Sequence, residues 1–204
     1  MPVYKLNEVF YSIQGEGFWA GTPCLFLRFH SCNRVCEFCD TKREELVSIL
    51  VWEKEIAHML SCLSPSCTHL VLTGGEPFHQ PHLEVLLVYL QRAGYTLHIE
   101  TNGDLLPLSP SPALSSCWIT VSPKTSLLLP SYVREVKWLV GDGKELWRQS
   151  LEKPSFLSHQ YLQPVWSERK EVYERNLLTC FYLVKEHPHL FKLSTQQHKR
   201  WGVR

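Results

Sequence analysis

Short apolar runs alternate along this chain with segments of helical period, and almost every run stops at a glycine or a polar cluster. Residues 25–29 lead directly into His30, Ser31 and Cys32. Residues 69–72 stop at Thr73-Gly74-Gly75-Glu76-Pro77, and residues 97–100 at Thr101-Asn102-Gly103. Residues 118–121 stop at Ser122-Pro123-Lys124, and residues 135–140 at Gly141-Asp142-Gly143. An early run at 9–13 ends in Gln14-Gly15-Glu16-Gly17, and 161–163, before Pro164, reads as the last strand. Between these runs, residues 53–63 place Ile56, Met59, Leu60 and Leu63 on one helical face. Residues 82–93 do the same with Leu83, Leu86, Leu87 and Leu90. Residues 168–186 give the best helix, with Val172, Leu177, Leu178, Phe181 and Val184 as its apolar side. A Pro/Ser stretch at 108–116 stands where a regular repeat calls for a helix, and none is readable there. The alternation predicts an α/β fold with mostly parallel strands. In such folds the chemistry collects at the C-terminal ends of the strands. With no internal linker or repeat, residues 1–204 are expected to form a single domain with short N- and C-terminal extensions.

The 21 Lys+Arg against 20 Asp+Glu leave a net charge of +1, so no global field is available to hold a nucleic-acid backbone. No stretch reaches the roughly 18 apolar residues of a membrane span. The first ten residues carry Lys5, Asn7 and Glu8 and no apolar leader core, so a cytoplasmic location is expected. Thiols stay reduced there. Eight cysteines are then too few for a disulfide scaffold and numerous enough to ask about metal.

Cys32, Cys36 and Cys39 have the spacing C-x3-C-x2-C, immediately after a strand. Three thiolates within eight residues can wrap one compact metal centre. A cubane iron–sulfur cluster normally takes four cysteines. Three leave one iron open to a small chelating molecule. Zinc is the rival reading, closed by a fourth ligand such as His30. Cys24, Cys62, Cys67, Cys117 and Cys180 read as small buried or half-buried hydrophobes. Arg28, on the strand before the cluster, can pair a carboxylate bidentately or be held by a structural Glu.

The three-cysteine spacing, with Phe38 just before the third thiol, resembles the radical SAM superfamily. The segments SIQGEG (12–17), FLRFHSCN (26–33), CEFCDT (36–41) and LTGGEP (72–77) are jointly similar to the 7-carboxy-7-deazaguanine synthase family. VSPK (121–124), LQP (162–164) and QQHK (196–199) extend the resemblance over nearly the whole chain. It implies an abridged, partial (βα) radical SAM barrel, and a [4Fe-4S] cluster on Cys32, Cys36 and Cys39. It implies S-adenosyl-L-methionine held by Phe38, Cys39, Asp40, Gly75, Glu76, Glu100, Ser122, Pro123 and Lys124. The substrate is then 6-carboxy-5,6,7,8-tetrahydropterin, contacted by Ile13, Gln14, Gly15, Arg28, Thr73, Gln163, His198 and Arg204. Mg²⁺ is expected on the Thr41 hydroxyl, the alternative being that Asp40 or Thr41 caps a helix. The product is 7-carboxy-7-deazaguanine, a precursor of deazapurines such as queuosine, formed with loss of ammonia. An external one-electron reductase of flavodoxin or ferredoxin type and a homodimer complete the implied picture. No side chain is expected to act as the catalytic group, because the cofactors carry the radical chemistry. Two readings stay open beside it: a small radical SAM activase acting on a partner protein's glycine, and a zinc or electron-transfer module.

Overall fold

The computed structural model describes residues 2–39, 48–126, 128–152 and 159–203. Its strands are β1 (Val3–Ile13), β2 (Pro23–Phe29), β3 (Ile49–Trp52), β4 (His69–Gly74), β5 (Thr96–Thr101), β6 (Trp118–Val121), β7 (Glu135–Val140), β8 (His159–Pro164) and β9 (Lys192–Leu193). They form one sheet in the order β3-β1-β2-β4-β5-β6-β7-β8-β9. β1 is antiparallel to both of its neighbours. From β2 to β9 every pair is parallel. The helices are α1 (Glu53–Leu63), α2 (Leu83–Arg92), α3 (Pro112–Ser115), α4 (Gln149–Glu152), α5 (Lys170–Glu186) and α6 (Gln197–Trp201).

Strand alternation separates an outer face under the helices from an inner face around the barrel axis. Leu25, Leu27 and Phe29 of β2 and Leu70 and Leu72 of β4 are fully buried in the main core with Leu86 and Leu90 of α2. Each such leucine stabilises the fold by roughly 1.5–3 kcal/mol relative to exposure. The other face of the same strands holds Cys24, Phe26 and Val71, which cluster with Phe10 of β1. Phe10 and Phe26 stack at 4.9 Å. Strands buried on both faces read as continuous apolar runs, which is why residues 25–29 and 69–72 lack a polar period.

The inner face is layered. At the N-terminal ends of the strands lies a floor of rings: His69 of β4, His98 of β5, Trp118 of β6 and His159 of β8, capped by Phe18 and Trp19. His69 Nδ1 and His98 Nε2 are 2.9 Å apart. Burial, with His69 alongside, lowers the His98 pKa to about 4, so the ring is neutral. The next layer is charged, with Glu100 and Lys137, and above it the strand ends carry the glycine-rich and polar loops.

Several sequence expectations are corrected. β8 is not the last strand, because β9 follows it. β3, absent from the sequence reading, pairs with the start of β1. A single helical turn, α3, does occupy the Pro/Ser stretch: Pro112 starts it and the Ser111 hydroxyl accepts from the Leu114 amide at 3.2 Å. On α1, Leu63 is exposed. On α5 the buried residues are Tyr173, Asn176 and Cys180, whereas Leu178 and Phe181 face outward. The helix is turned so that Asn176 Nδ2 can donate to the Val165 carbonyl at 3.2 Å. Cys24, Cys117 and Cys180 are buried as expected, and burial pushes each thiol up to about 12. Cys62 is exposed, beside His58 on the outside of α1.

Candidate active site

The loops at the C-terminal strand ends surround a cavity of about 270 Å³. Cys32, Cys36, Phe38 and Cys39 line one side of it. The cysteine loop is braced to the rest of the barrel. Asn33 Nδ2 donates to Asp104 at 3.1 Å, and Asn33 Oδ1 accepts from Asn102 at 2.8 Å. Arg34 makes a two-nitrogen ion pair with Asp104, and its Nη2 donates to the Thr125 hydroxyl at 3.2 Å. This network stations the Arg34 charge beside Cys36 and Cys32. It joins three strand-end loops; Asn33, Arg34 and Asn102 sit within or beside the motifs, but their pairing with Asp104 and Thr125 across the chain has no sequence signal.

Next to the thiols, Gly75 passes so close to the loop after β2 that a Cβ there would stand 2.0 Å from the Ser31 carbonyl oxygen. The Gly75 amide donates to the Phe29 carbonyl and the Glu76 amide to that of Ser31, each at 2.8 Å. The Glu76 carboxylate turns away from solvent. It accepts from the Thr101 hydroxyl at 2.6 Å, the Asn102 amide at 2.8 Å and the Phe78 amide at 3.1 Å. The side chain thus ties β4 to β5, leaving the backbone of the Gly-Gly-Glu turn as the part that can meet a ligand. Ser122 and Lys124 line the cavity after β6, whereas Pro123 is buried and does not. Burial holds the Lys124 amine below its ordinary value, and its Nζ lies 5.4 Å from the Phe38 ring centre.

The opposite wall holds the residues expected to meet the substrate. Ile13, Gln14 and Gly15 line it at the end of β1, Arg28 and Thr73 face each other in register across β2 and β4, and Gln163 rises from β8. Arg28 Nε donates to Glu8 at 2.7 Å, so the structural ion pair raised by the sequence does exist, on a guanidinium that lines the cavity. His198 closes the wall from α6. The Gln197 amide donates to the Gly15 carbonyl at 3.0 Å, bringing the tail onto the end of β1. Asp40, Thr41 and Arg204 lie outside the described residues.

Glu16, inside the SIQGEG segment but not selected from it, and Lys137, on a strand with no motif, also line the wall. Lys137 Nζ lies 2.6 Å from Glu16 and 2.5 Å from Glu100. Burial by itself would discharge these groups. The mutual attraction outweighs it, holding the Lys137 amine above its ordinary value and the Glu16 carboxyl below. Lys137 could have been suspected as a lone cation at a period-2 inward position of an apolar strand.

Residues 27–112 match the Radical SAM superfamily. The 7-carboxy-7-deazaguanine synthase of Bacteroides thetaiotaomicron is 37% identical to this chain over 201 residues, covering 98% of each. The chain belongs to the 7-carboxy-7-deazaguanine synthase family. The synthase of Aquifex aeolicus is 34% identical over 89% of this chain and 86% of its own. The fold agrees with the crystal structure of QueE from Escherichia coli at a TM-score of 0.70, with 24% identity over 95% of this chain and 94% of that one. Family membership makes this a radical SAM enzyme, which works with a [4Fe-4S] cluster and S-adenosylmethionine. The residues present fit that pair. Three thiols share a cavity with a glycine turn and a buried lysine. His30, the candidate fourth zinc ligand, has its Nδ1 bonded to Asn7 at 2.6 Å and is not part of the cavity lining.

Proposed function

We propose that this chain makes 7-carboxy-7-deazaguanine from 6-carboxy-5,6,7,8-tetrahydropterin, contracting the ring and releasing ammonia. The carrying observation is that one cavity gathers the three motif thiols with Gln14, Arg28, Thr73, Gln163 and His198, although 166 sequence positions separate the first of these thiols from His198. When bound, the cluster and S-adenosylmethionine supply one-electron chemistry that removes a hydrogen atom from the substrate and returns it.

The chain's own residues hold, orient and shield. Cys32, Cys36 and Cys39 ligate the cluster, and the Asn33–Arg34–Asp104 network fixes their loop. Phe38, the Gly75–Glu76 backbone, Ser122 and Lys124 hold S-adenosylmethionine, with the Lys124 ammonium meeting anionic or hydroxyl oxygens. Arg28 pairs the substrate carboxylate. Gln14 and Gln163 present amides, and His198 an imidazole, to the edge of the pterin. Thr41 contributes its hydroxyl to Mg²⁺, a hard ion that retains several waters. The ring floor closes the cavity from below, and a site shielded from water would suit the radical chemistry the cofactors supply. A flavodoxin- or ferredoxin-type protein supplies the electron, the chain works as a homodimer, and its place is the cytoplasm. Among the described residues no helix is long and apolar enough to cross a membrane.

The test is anaerobic incubation of the reconstituted protein with reductant, S-adenosylmethionine and the carboxypterin, read by mass spectrometry. The deazaguanine acid is expected, Cys36→Ala abolishes it, and Thr41→Ala lowers it while the visible spectrum of the cluster persists. Turnover only with a partner protein, or a colourless zinc-loaded product, would overturn the reading.

A further inference from the structure

Lys137 is 2% exposed in the middle of the inner face of β7. Burying an ammonium costs several kcal/mol unless partners compensate. Its partners are the carboxylates of Glu16, after β1, and Glu100, on β5. Three glutamines donate to the same two acids. Gln163 Nε2 reaches Glu16 Oε2 at 3.0 Å, Gln196 Nε2 reaches Glu16 Oε1 at 3.0 Å, and Gln14 Nε2 reaches Glu100 Oε1 at 3.2 Å. The partners thus come from the segment after β1, from β5, from β8 and from the tail. The other charges facing the group are Lys124 after β6 and Glu135 one layer below on β7. Glu16, Glu100 and Lys137 all line the cavity, and Glu100, expected from the resemblance at S-adenosylmethionine, stands with the substrate wall because its carboxylate is bonded to Lys137 and Gln14.

We infer that Lys137 is a positioning residue: its buried ammonium holds Glu16 and Glu100 side by side as carboxylates, giving the wall paired acceptors for the amino-bearing pyrimidine edge of a pterin. The inference rests on the function proposed above and deepens it. The 2-amino group and N3–H of a pterin are neighbouring donors, and two ionised carboxylates are acceptor-only partners. Without the ammonium, two carboxylates sharing a dry wall repel, and one takes up a proton. The wall then offers a donor beside an acceptor and loses its preference for an amino group over an oxo group.

The probe is the fluorescent oxidised analogue 6-carboxypterin, titrated into the full-length protein between pH 5.5 and 7.5, with 6-carboxylumazine, its 2-oxo counterpart, as comparison. The unaltered protein should prefer the pterin by about tenfold, the scale of a charge-assisted hydrogen bond. Lys137→Met should weaken pterin binding by about tenfold at pH 6 and recover part of the loss as pH rises. Lys137→Arg, which keeps the charge, should restore most of it. A loss equal at every pH, or pterin affinity unchanged in Lys137→Met, would overturn the inference while leaving the proposed reaction standing. Should Lys137→Met not fold, Glu16→Gln decides: the preference over lumazine collapses if the inference holds and persists if it fails. If the unaltered protein neither binds the pterin nor turns over the tetrahydropterin, the proposed function itself fails.

Discussion

Glu135 carries a pH prediction that belongs to a single residue. Its Oε2 accepts from Trp118 Nε1 at 3.0 Å and from the Phe18 amide at 3.3 Å, joining the ring floor to β7. Burial, only partly countered by Lys137, raises its carboxyl from 4.5 to about 7. The folded chain therefore keeps a proton that the unfolded chain releases between these two values. The associated stability is full below pH 4.5 and is lost as pH rises through 7, a change of about 3 kcal/mol at most. Glu135→Gln keeps an oxygen for both donors and removes the ionisation. In urea unfolding followed by tryptophan fluorescence, it should be more stable than the parent at pH 8 and show a flatter profile from pH 5 to 8. A profile as steep as the parent's would refute the assignment. At this scale the sequence was legible where chemistry imposes spacing, as in Cys32, Cys36 and Cys39. It was illegible where a side chain acts through partners distant in the chain. Glu135 and Lys137 are adjacent inward positions of one strand, and only the folded register shows that one supports the floor and the other the wall.

Among elements, the short tail helix α6 illustrates how far site geometry depends on backbone contact. A Cβ on Gly15 would stand 2.4 Å from His198 Nδ1 and 2.7 Å from the His198 amide nitrogen. Gly15→Ala therefore must push α6 off the end of β1. The expected result is a fall in kcat/KM of between about tenfold and a hundredfold, with His198 and Gln196 displaced together. The circular dichroism spectrum and the cluster absorbance should match those of the parent. Unchanged kinetics would show that α6 does not complete the wall. The tail was poorly readable in advance because β9 has two residues and α6 five, too short for any period. By contrast α1, β6 and β7 have the bounds the sequence suggested, since each has sharp punctuation at its ends. The face of α5 was misread for a different reason: hydropathy ranks Leu178 and Phe181 above Asn176, but the buried amide anchors the helix through a hydrogen bond that no apolar side chain could make.

For the molecule as a whole, the sheet formed by the described residues is open at both ends, and its β3 end is the more telling edge. β1 and β3 form an antiparallel ribbon through Val3–Leu6 and Ile49–Trp52. Only Val51 of β3 points into the core, while Leu50 is 71% exposed, Trp52 46%, Ile49 40% and Val3 41%. An apolar strand at a sheet edge is a site that natural proteins cover, charge or shorten. Here β3 is short but neither charged nor interrupted by proline. A second copy of this chain is the occupant consistent with the proposed homodimer, because a two-fold axis lets the same apolar patch meet itself. Sedimentation velocity at micromolar concentration should then give twice the monomer mass. Leu50→Glu should shift the equilibrium towards monomer by placing a charge in the buried seam. Its effect on monomer stability should stay within about 0.5 kcal/mol, because the position is exposed in the single chain. A parent protein that sediments as a monomer, or a Leu50→Glu variant that stays as tightly dimeric as the parent, would remove the ribbon from the assembly.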